Sequence, residues 1–530
     1  MELNRRQFLQ AGIFGVTAAA LASTVAAEHP PRPQLQLTTQ EGFDAAVIAP
    51  YRGDHSGVYQ HIEAHIDEHL EHIRRWLRQP SVSAQSQGIE QMATLLRDDL
   101  RALGFRETEL VPTSGHPGVW GYYDAGAPKT LLVYMMYDVQ PVEPADWRVP
   151  PFEAQLVEHE TGTVVMARGA TNQKGPERAF LNAVASLLAT EGRLPVNLMI
   201  AAEGEEELGS PHFPEIVDRY GERMRTAVGA LFPVPSQNLT GDTRLNLGFK
   251  GIVYFELEAM GGPQGGPTKA EIHGSFKAIV DSPVWRLIQA LATLVSADGN
   301  TVTVPGYYEA VRPPTDEEQR LVNGILARWE EETLKRQLAV ERWSRGMVRQ
   351  EALWHLLFET TLNIDGLWAG YTGEGVKTIL PHKATAKVDS RLVPNQQPDD
   401  ALALIRRHLD TQGFQDITIR KLSGYPPAQA SVATPLVQSV IAVFNKYGLT
   451  PEVWPRLPGS APFYQFTERL GLPIVSAGLG HGWNMHAPNE YMVIRAKPGS
   501  KIAGLAEMEK AYVDLLYAVA LQGDSATSGT

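Results

Sequence analysis

The chain has 530 residues, enough for about two to four domains of core, and is 43% hydrophobic and 20% charged, which excludes a disordered, collagen-like or coiled-coil chain. Its net charge of −13 argues against nucleic acid or an anionic membrane as the main partner. The absence of cysteine excludes disulfides, iron–sulfur clusters, thiolate zinc sites and a cysteine nucleophile, so any metal site must be built from His, Asp, Glu and amides.

The N-terminus reads as an address. Asn4-Arg5-Arg6-Gln7-Phe8-Leu9 is a twin-arginine start, and the apolar run from Ala11 to Ala22 is too short for a permanent membrane anchor. Ala26 and Ala27 supply the small residues a signal peptidase needs. Residues 1–27 are therefore expected to be a cleaved signal, with the twin-arginine export machinery as a partner and the bacterial periplasm as destination.

Tyr59 to Phe105 shows apolar residues at helical spacing. Thr130–Met136 and Val196–Ala202 are continuous apolar runs, separated by a helical stretch from Glu177 to Leu188. Such alternation predicts an α/β domain whose mostly parallel sheet is covered on both faces. Near Lys250 the texture changes to period two, in Phe255–Glu258 and Ala384–Leu392, with one long charged helix expected over Glu317–Arg345. After Gly424 the buried pattern returns, with a strand at Pro473–Ser476. The expected organisation is a catalytic domain in two pieces, 28–248 and 425–530, interrupted by an inserted α+β domain at 249–424.

The chemistry-bearing motifs sit at strand ends, where open α/β sheets bind ligands. The first apolar strand runs into Tyr137-Asp138-Val139-Gln140-Pro141, and the second into Glu203-Gly-Glu-Glu-Glu-Leu-Gly-Ser210. Between them lies Arg168-Gly-Ala-Thr-Asn-Gln-Lys-Gly175. Carboxylates gathered at such ends are not explained by packing.

These motifs, with Tyr371-Thr-Gly-Glu-Gly-Val-Lys-Thr378, Arg391-Leu-Val-Pro394 and His486-Ala-Pro-Asn-Glu490, resemble the zinc aminoacylase–carnosinase–glutamate carboxypeptidase superfamily, most of all its dipeptidase branch. The resemblance runs from about Tyr59 to Leu516. It implies a zinc-binding α/β domain with an inserted ferredoxin-like lid that forms a homodimer. It also implies hydrolysis of an amide or peptide bond in a small-molecule or peptide substrate that bears a carboxylate. Residue by residue, it makes Glu206 the general base and Asp138 the residue that orients the site. Arg391, Thr378, Ser460 and His273 become substrate-binding residues, His273 reaching across a dimer, and His486 a metal ligand or substrate donor.

The departures bear on the metal. The family holds two zinc ions with five side chains. Here its histidine position is Met136, its bridging aspartate is Asn172, and its last aspartate falls near Val234 in Pro233-Val234-Pro235. Only Glu207 and His486 keep their chemistry, with the Asn172 amide as a poor third donor. The expectation is no zinc or a single weak ion, and not two. Asp242 lies several residues out of register with the missing aspartate.

Three readings follow. One is a periplasmic hydrolase of this superfamily with a degenerate zinc site. Another is a metal-independent enzyme on the same scaffold, using Glu206, Glu207, Asp138 and His486 for rearrangement, cyclisation or acyl transfer on a peptide or amino-acid metabolite. The third is a non-catalytic periplasmic binder, against which the retained carboxylates argue. His481 and Trp483 are further candidates for the pocket wall.

Overall fold

The computed structural model describes residues 39–522. The proposed signal, residues 1–27, lies outside them. The expected α/β class is the one observed. An eight-stranded mixed sheet forms the centre, in the order Glu107–Val111, Gly118–Tyr123, Asn197–Glu203, Thr130–Met136, Ala230–Pro233, Ile474–Ala477, Arg244–Asn246, Glu452–Trp454. Its four middle strands are parallel to one another, Gly118–Tyr123 runs antiparallel to both of its neighbours, and Arg244–Asn246 and Glu452–Trp454, parallel to each other, run antiparallel to Ile474–Ala477.

Every residue of Thr130–Met136 and Asn197–Glu203 is buried, which explains their lack of alternation. Met136 pairs with Glu203, and Pro233 pairs with Ala477. Four chain segments therefore leave the same edge of the sheet at the same level, and the motif loops follow directly. Pro233 ends its strand because it has no N–H to extend the ladder. On one face, helix Lys174–Glu191 is buried between the sheet, helices Ser56–Ala64 and Ile66–Arg78, and the last helix, Leu505–Ala520. It stops at Gly192, whose φ of +69° only glycine adopts cheaply.

The inserted unit is a second sheet of four antiparallel strands, ordered Thr361–Ala369, Lys383–Leu392, Gly251–Met260, Thr418–Tyr425. With helices Pro283–Leu294 and Pro398–Thr411 it makes the β-α-β-β-α-β succession of a ferredoxin-like unit. Alternate residues Val253, Phe255, Leu257 and Ala259 face those helices. Thr361–Ala369 is an edge strand that leaves Ile364, Leu367 and Trp368 exposed.

The long helix expected over Glu317–Arg345 is instead two, Asp316–Leu326 and Glu331–Gln337, followed by irregular chain. Trp329 and Trp343 both turn into one apolar cluster with Leu353, Leu357 and Trp454. A straight helix of that length would span about 40 Å and could not bring both indoles to one place. Likewise the helical stretch Tyr59–Phe105 is broken at His65 and between Arg78 and Ile89. Among the described residues no helix is long and apolar enough to cross a membrane.

Candidate active site

Asp138 stands two residues beyond the end of Thr130–Met136 and is fully buried. Its carboxylate accepts the backbone N–H groups of Glu206 and Glu207, each at 3.1 Å. These two residues open a short turn, Glu206–Leu208, closed by Gly209 at φ +86°. Asp138 thus ties one strand-end loop to the other. Burial, and then the Glu207 charge, push its pKa up to about 7.

Glu207 is the most heavily coordinated side chain of the cluster. Oε1 accepts from Asn172 Nδ2 at 2.7 Å, Oε2 accepts from Gln140 Nε2 at 2.9 Å, and His486 Nε2 lies 3.1 Å from Oε2. The hydrogen bond to Glu207 raises the pKa of His486, whose side chain is 56% exposed while that of Glu207 is 4% exposed. Glu206 lies beside them, and its pKa is raised well above the carboxylate range by burial, then by Glu207, Asp138 and Glu203.

A buried collar supports this arrangement. Glu490, fully buried, accepts the N–H groups of Thr171 and Asn172 at 2.9 Å and an Arg168 Nη1 hydrogen at 2.8 Å. Arg168 in turn donates to the carbonyls of His486 and Ala487, both at 3.3 Å. That bracing holds His486 at φ +64°, which a non-glycine residue adopts only at a cost. Glu203 accepts from Tyr134 and Ser210, and burial raises its pKa to about 8. Gln140, Arg168, Glu203 and Glu490 all lie in the strand-end motifs, but nothing in their local sequence marked them as partners of the cluster.

Met136 is 1% exposed and packs in an apolar cluster with Trp120, Tyr134, Phe213 and Phe466, and Val234 packs against the same cluster. The side-chain amide of Gln173 lies 3.2 Å from the carbonyl of Pro233, so these positions neighbour the Asn172 loop. Asp242 is exposed in a turn, its carboxylate accepting from the Thr240 hydroxyl and its N–H donating to Asn238 Oδ1, and does not enter the site. Among the described residues, no group of three or more His, Asp and Glu side chains converges as a metal site.

Arg391 stands on strand Lys383–Leu392 of the inserted unit, and no described contact joins it to the carboxylate cluster. Its Nε donates to Asp389 at 2.9 Å, and its Nη1 donates to Ser460 Oγ at 3.1 Å. Ser460 belongs to the other domain and itself donates to the Gly251 carbonyl at 3.2 Å. His273 and Thr378 come together at a two-stranded antiparallel sheet of Ile272–His273 with Ile379–Leu380, where the Gly274 N–H donates to the Thr378 carbonyl at 3.0 Å. His273 is exposed, its Nδ1 pairs with Ser275, and no described contact joins it to the carboxylate cluster. His481 is not a pocket residue. It is fully buried, with Nδ1 2.8 Å from the Gln237 carbonyl and Nε2 3.2 Å from the Tyr491 hydroxyl. Trp483, 45% exposed, stands on the segment that carries His486.

Comparison with known proteins agrees with this geometry. Residues 132–508 match the profile of peptidase family M20/M25/M40. The chain is 28% identical over 476 residues to a Beta-Ala-His dipeptidase of Rattus norvegicus, covering 83% of this chain and 92% of that one. It is 28% identical to a Cys-Gly metallodipeptidase of Candida albicans, covering 79% of this chain and 90% of the relative. Among solved structures, an M20 family metallo-carboxypeptidase from Sulfolobus solfataricus superposes with a TM-score of 0.77 at 33% identity, covering 86% of this chain and all of that one. Strand-end carboxylates, an inserted ferredoxin-like unit and a matching profile lead to one conclusion: the chain belongs to peptidase family M20/M25/M40.

Proposed function

We propose that this chain is an exported hydrolase that cleaves the amide or peptide bond of a carboxylate-bearing, amino-acid-derived substrate without a dinuclear zinc centre. The observation that carries the reading is the occupancy of Glu207. Both of its oxygens are engaged by amide donors, from Asn172 and Gln140, and by His486. The family's zinc finds a poor donor set here. At the second ion's place stand a buried thioether, Met136, and an apolar turn at Val234. At the first, only Glu207 and His486 are good zinc ligands.

In this reading Arg391, pre-set by Asp389 and Ser460, takes the substrate carboxylate through its remaining N–H groups. Glu206 removes a proton from water, and the oxygen attacks the amide carbon. The His486 imidazolium, kept charged by Glu207, donates to the developing oxyanion. Glu206 then returns the proton to the leaving nitrogen as the C–N bond breaks. The dipeptidase relatives support a peptide-like substrate, and the exposed Trp483 and Met485 beside His486 favour an apolar group on it.

The test is hydrolysis by untagged mature protein of dipeptides and N-acyl amino acids, followed by mass spectrometry, with metal content measured on the same sample. Expected are cleavage of free-carboxylate substrates, no cleavage of their amidated forms, and no loss with a chelator. Two tightly held zinc ions per chain, or activity that chelation abolishes and zinc restores, would overturn the reading. Export by the twin-arginine route predicts that Arg5→Lys with Arg6→Lys leaves the protein in the cytoplasm on cell fractionation.

A further inference from the structure

The inserted sheet turns one face away from its own helices. Val253, Phe255, Leu257 and Ala259 pack against helices Pro283–Leu294 and Pro398–Thr411, so Ile252 and Tyr254 point to the opposite side. Residues paired directly across antiparallel strands share a face. Ile252 pairs with Arg391 on one side and with Tyr425 on the other. Arg391, Ile252 and Tyr425 therefore form a row on that face. Neighbouring strands lie about 4.8 Å apart, which separates the backbones of Arg391 and Tyr425 by about 10 Å.

The same face meets the carboxylate loops. Ser423 precedes Tyr425 by two residues and shares its side of the strand. A carbon substituent placed on Gly209 would stand 3.8 Å from Ser423 Cβ. Gly209 closes the turn that opens with Glu206 and Glu207. The strand end that carries Tyr425 thus lies against the turn that carries Glu206. Burial, and then the Glu206 charge, raise the pKa of the Tyr425 phenol, while the Arg391 charge lowers it. The phenol stands in the field of both groups and keeps its proton.

The ring is held and the hydroxyl is not. Tyr425 is half-buried and stacks on Tyr464, with centroids 5.9 Å and planes 10° apart. Tyr464 follows, by four residues, the Ser460 that accepts from Arg391 Nη1. Pro426, next in the chain, restricts Tyr425 to extended backbone. Among the described residues nothing hydrogen-bonds the Tyr425 hydroxyl.

We propose that Tyr425 is a further catalytic residue, whose phenol O–H donates to the carbonyl oxygen of the scissile amide as that oxygen becomes the oxyanion. This rests on the hydrolysis proposed above. Arg391 takes the substrate carboxylate at one end of the row, which sets the amide towards the other end, beside Glu206. Water loses a proton to Glu206 and attacks the amide carbon, and the C=O electron pair moves onto the oxygen. Tyr425 donates there together with His486 and keeps its own proton. When the C=O bond re-forms, the C–N bond breaks and the leaving nitrogen takes its proton from Glu206. A donor already fixed by its ring stack needs no reorganisation during the reaction.

The test is Tyr425→Phe, which keeps the ring on Tyr464 and removes only the hydroxyl. On free-carboxylate substrates cleaved by the mature protein, kcat should fall by about 10²–10³-fold with KM little changed. The thermal unfolding midpoint should stay where it is. A phosphinic dipeptide analogue, whose tetrahedral phosphorus and charged oxygen imitate the intermediate, should bind about 10²-fold more weakly to the variant by calorimetry. Unchanged kcat, or a loss confined to KM, would overturn the proposal. If the unaltered protein cleaves none of the substrates, the hydrolase reading fails and the analogue alone decides on Tyr425. Equal affinity in the two proteins, or binding by neither, then overturns the proposal as well.

Discussion

Glu207 and His486 meet at 3.1 Å although they are far apart in sequence and come from loops on different strands. The contact places a histidine with a raised pKa beside a carboxylate that two amides already hold. It makes the pair a fixed unit, with Glu206 adjacent and itself pushed towards the protonated form.

Glu206→Gln should lower kcat on a cleaved substrate by about 10²–10⁴-fold, with KM little changed, because the amide cannot take the proton from water. Glu206 must be ionised to act as base, and its pKa is raised. Activity of the unaltered protein should therefore climb as pH rises above the ordinary carboxylate range. Steady-state kinetics across pH checks both. Full activity in the variant would remove Glu206 from the mechanism.

Arg391→Lys should lower kcat/KM by about 10–100-fold, mostly through KM. A lysine has one point of charge and cannot donate to Asp389 and Ser460 while also gripping a carboxylate. Comparing free-acid and amide substrates separates this from a folding defect, since only the free acid should lose affinity.

Met136→His combined with Asn172→Asp rebuilds two of the family's ligand positions. The pair should raise the zinc retained through dialysis by about one ion per chain. It should also cost stability of about 1–3 kcal/mol, because an imidazole enters the apolar packing around Phe213 and Phe466. Elemental analysis and urea unfolding read the two effects separately.

Carboxyl groups whose pKa rises on folding favour the fold while protonated. Their contribution is complete below the ordinary carboxylate value and is lost as pH rises through the folded value. With Asp138 at about 7 and Glu203 at about 8, stability should fall as pH climbs from about 5 to about 8. Lys174, lowered to about 7 by burial, acts in the opposite sense, but only above that pH, because below it the ammonium is present in both states. Glu203→Gln should therefore flatten the slope, with its unfolding midpoint gaining a few degrees on the unaltered protein between about pH 5 and 8.

The exposed Ile364, Leu367 and Trp368 lie on the open edge of the inserted sheet. An unpaired apolar edge invites a second copy. We expect a dimer by light scattering, and expect Trp368→Glu to shift it to monomer without unfolding it.

The continuous apolar runs at Thr130–Met136 and Asn197–Glu203 are legible in sequence because strands buried on both faces need no alternation. The alternation in Gly251–Met260 is legible for the converse reason, one face being covered by helices. Asp138, Glu206 and Glu207 are legible as strand-end carboxylates because such loops carry their chemistry in compact motifs, and His486 is legible only through the family resemblance. What local pattern could not supply is the pairing of groups distant in the chain. Gln140 on Glu207, Glu490 beneath the Asn172 loop, and Ser460 on Arg391 across the two domains exist only once the sheet has aligned its strand ends. The same holds where sequence misled. Trp329 and Trp343 bend a would-be long helix because one cluster buries both, and His481 belongs to the core because Gln237 and Tyr491 satisfy both its nitrogens there. Periodicity reports which face of an element is buried, and only tertiary packing decides what that face meets.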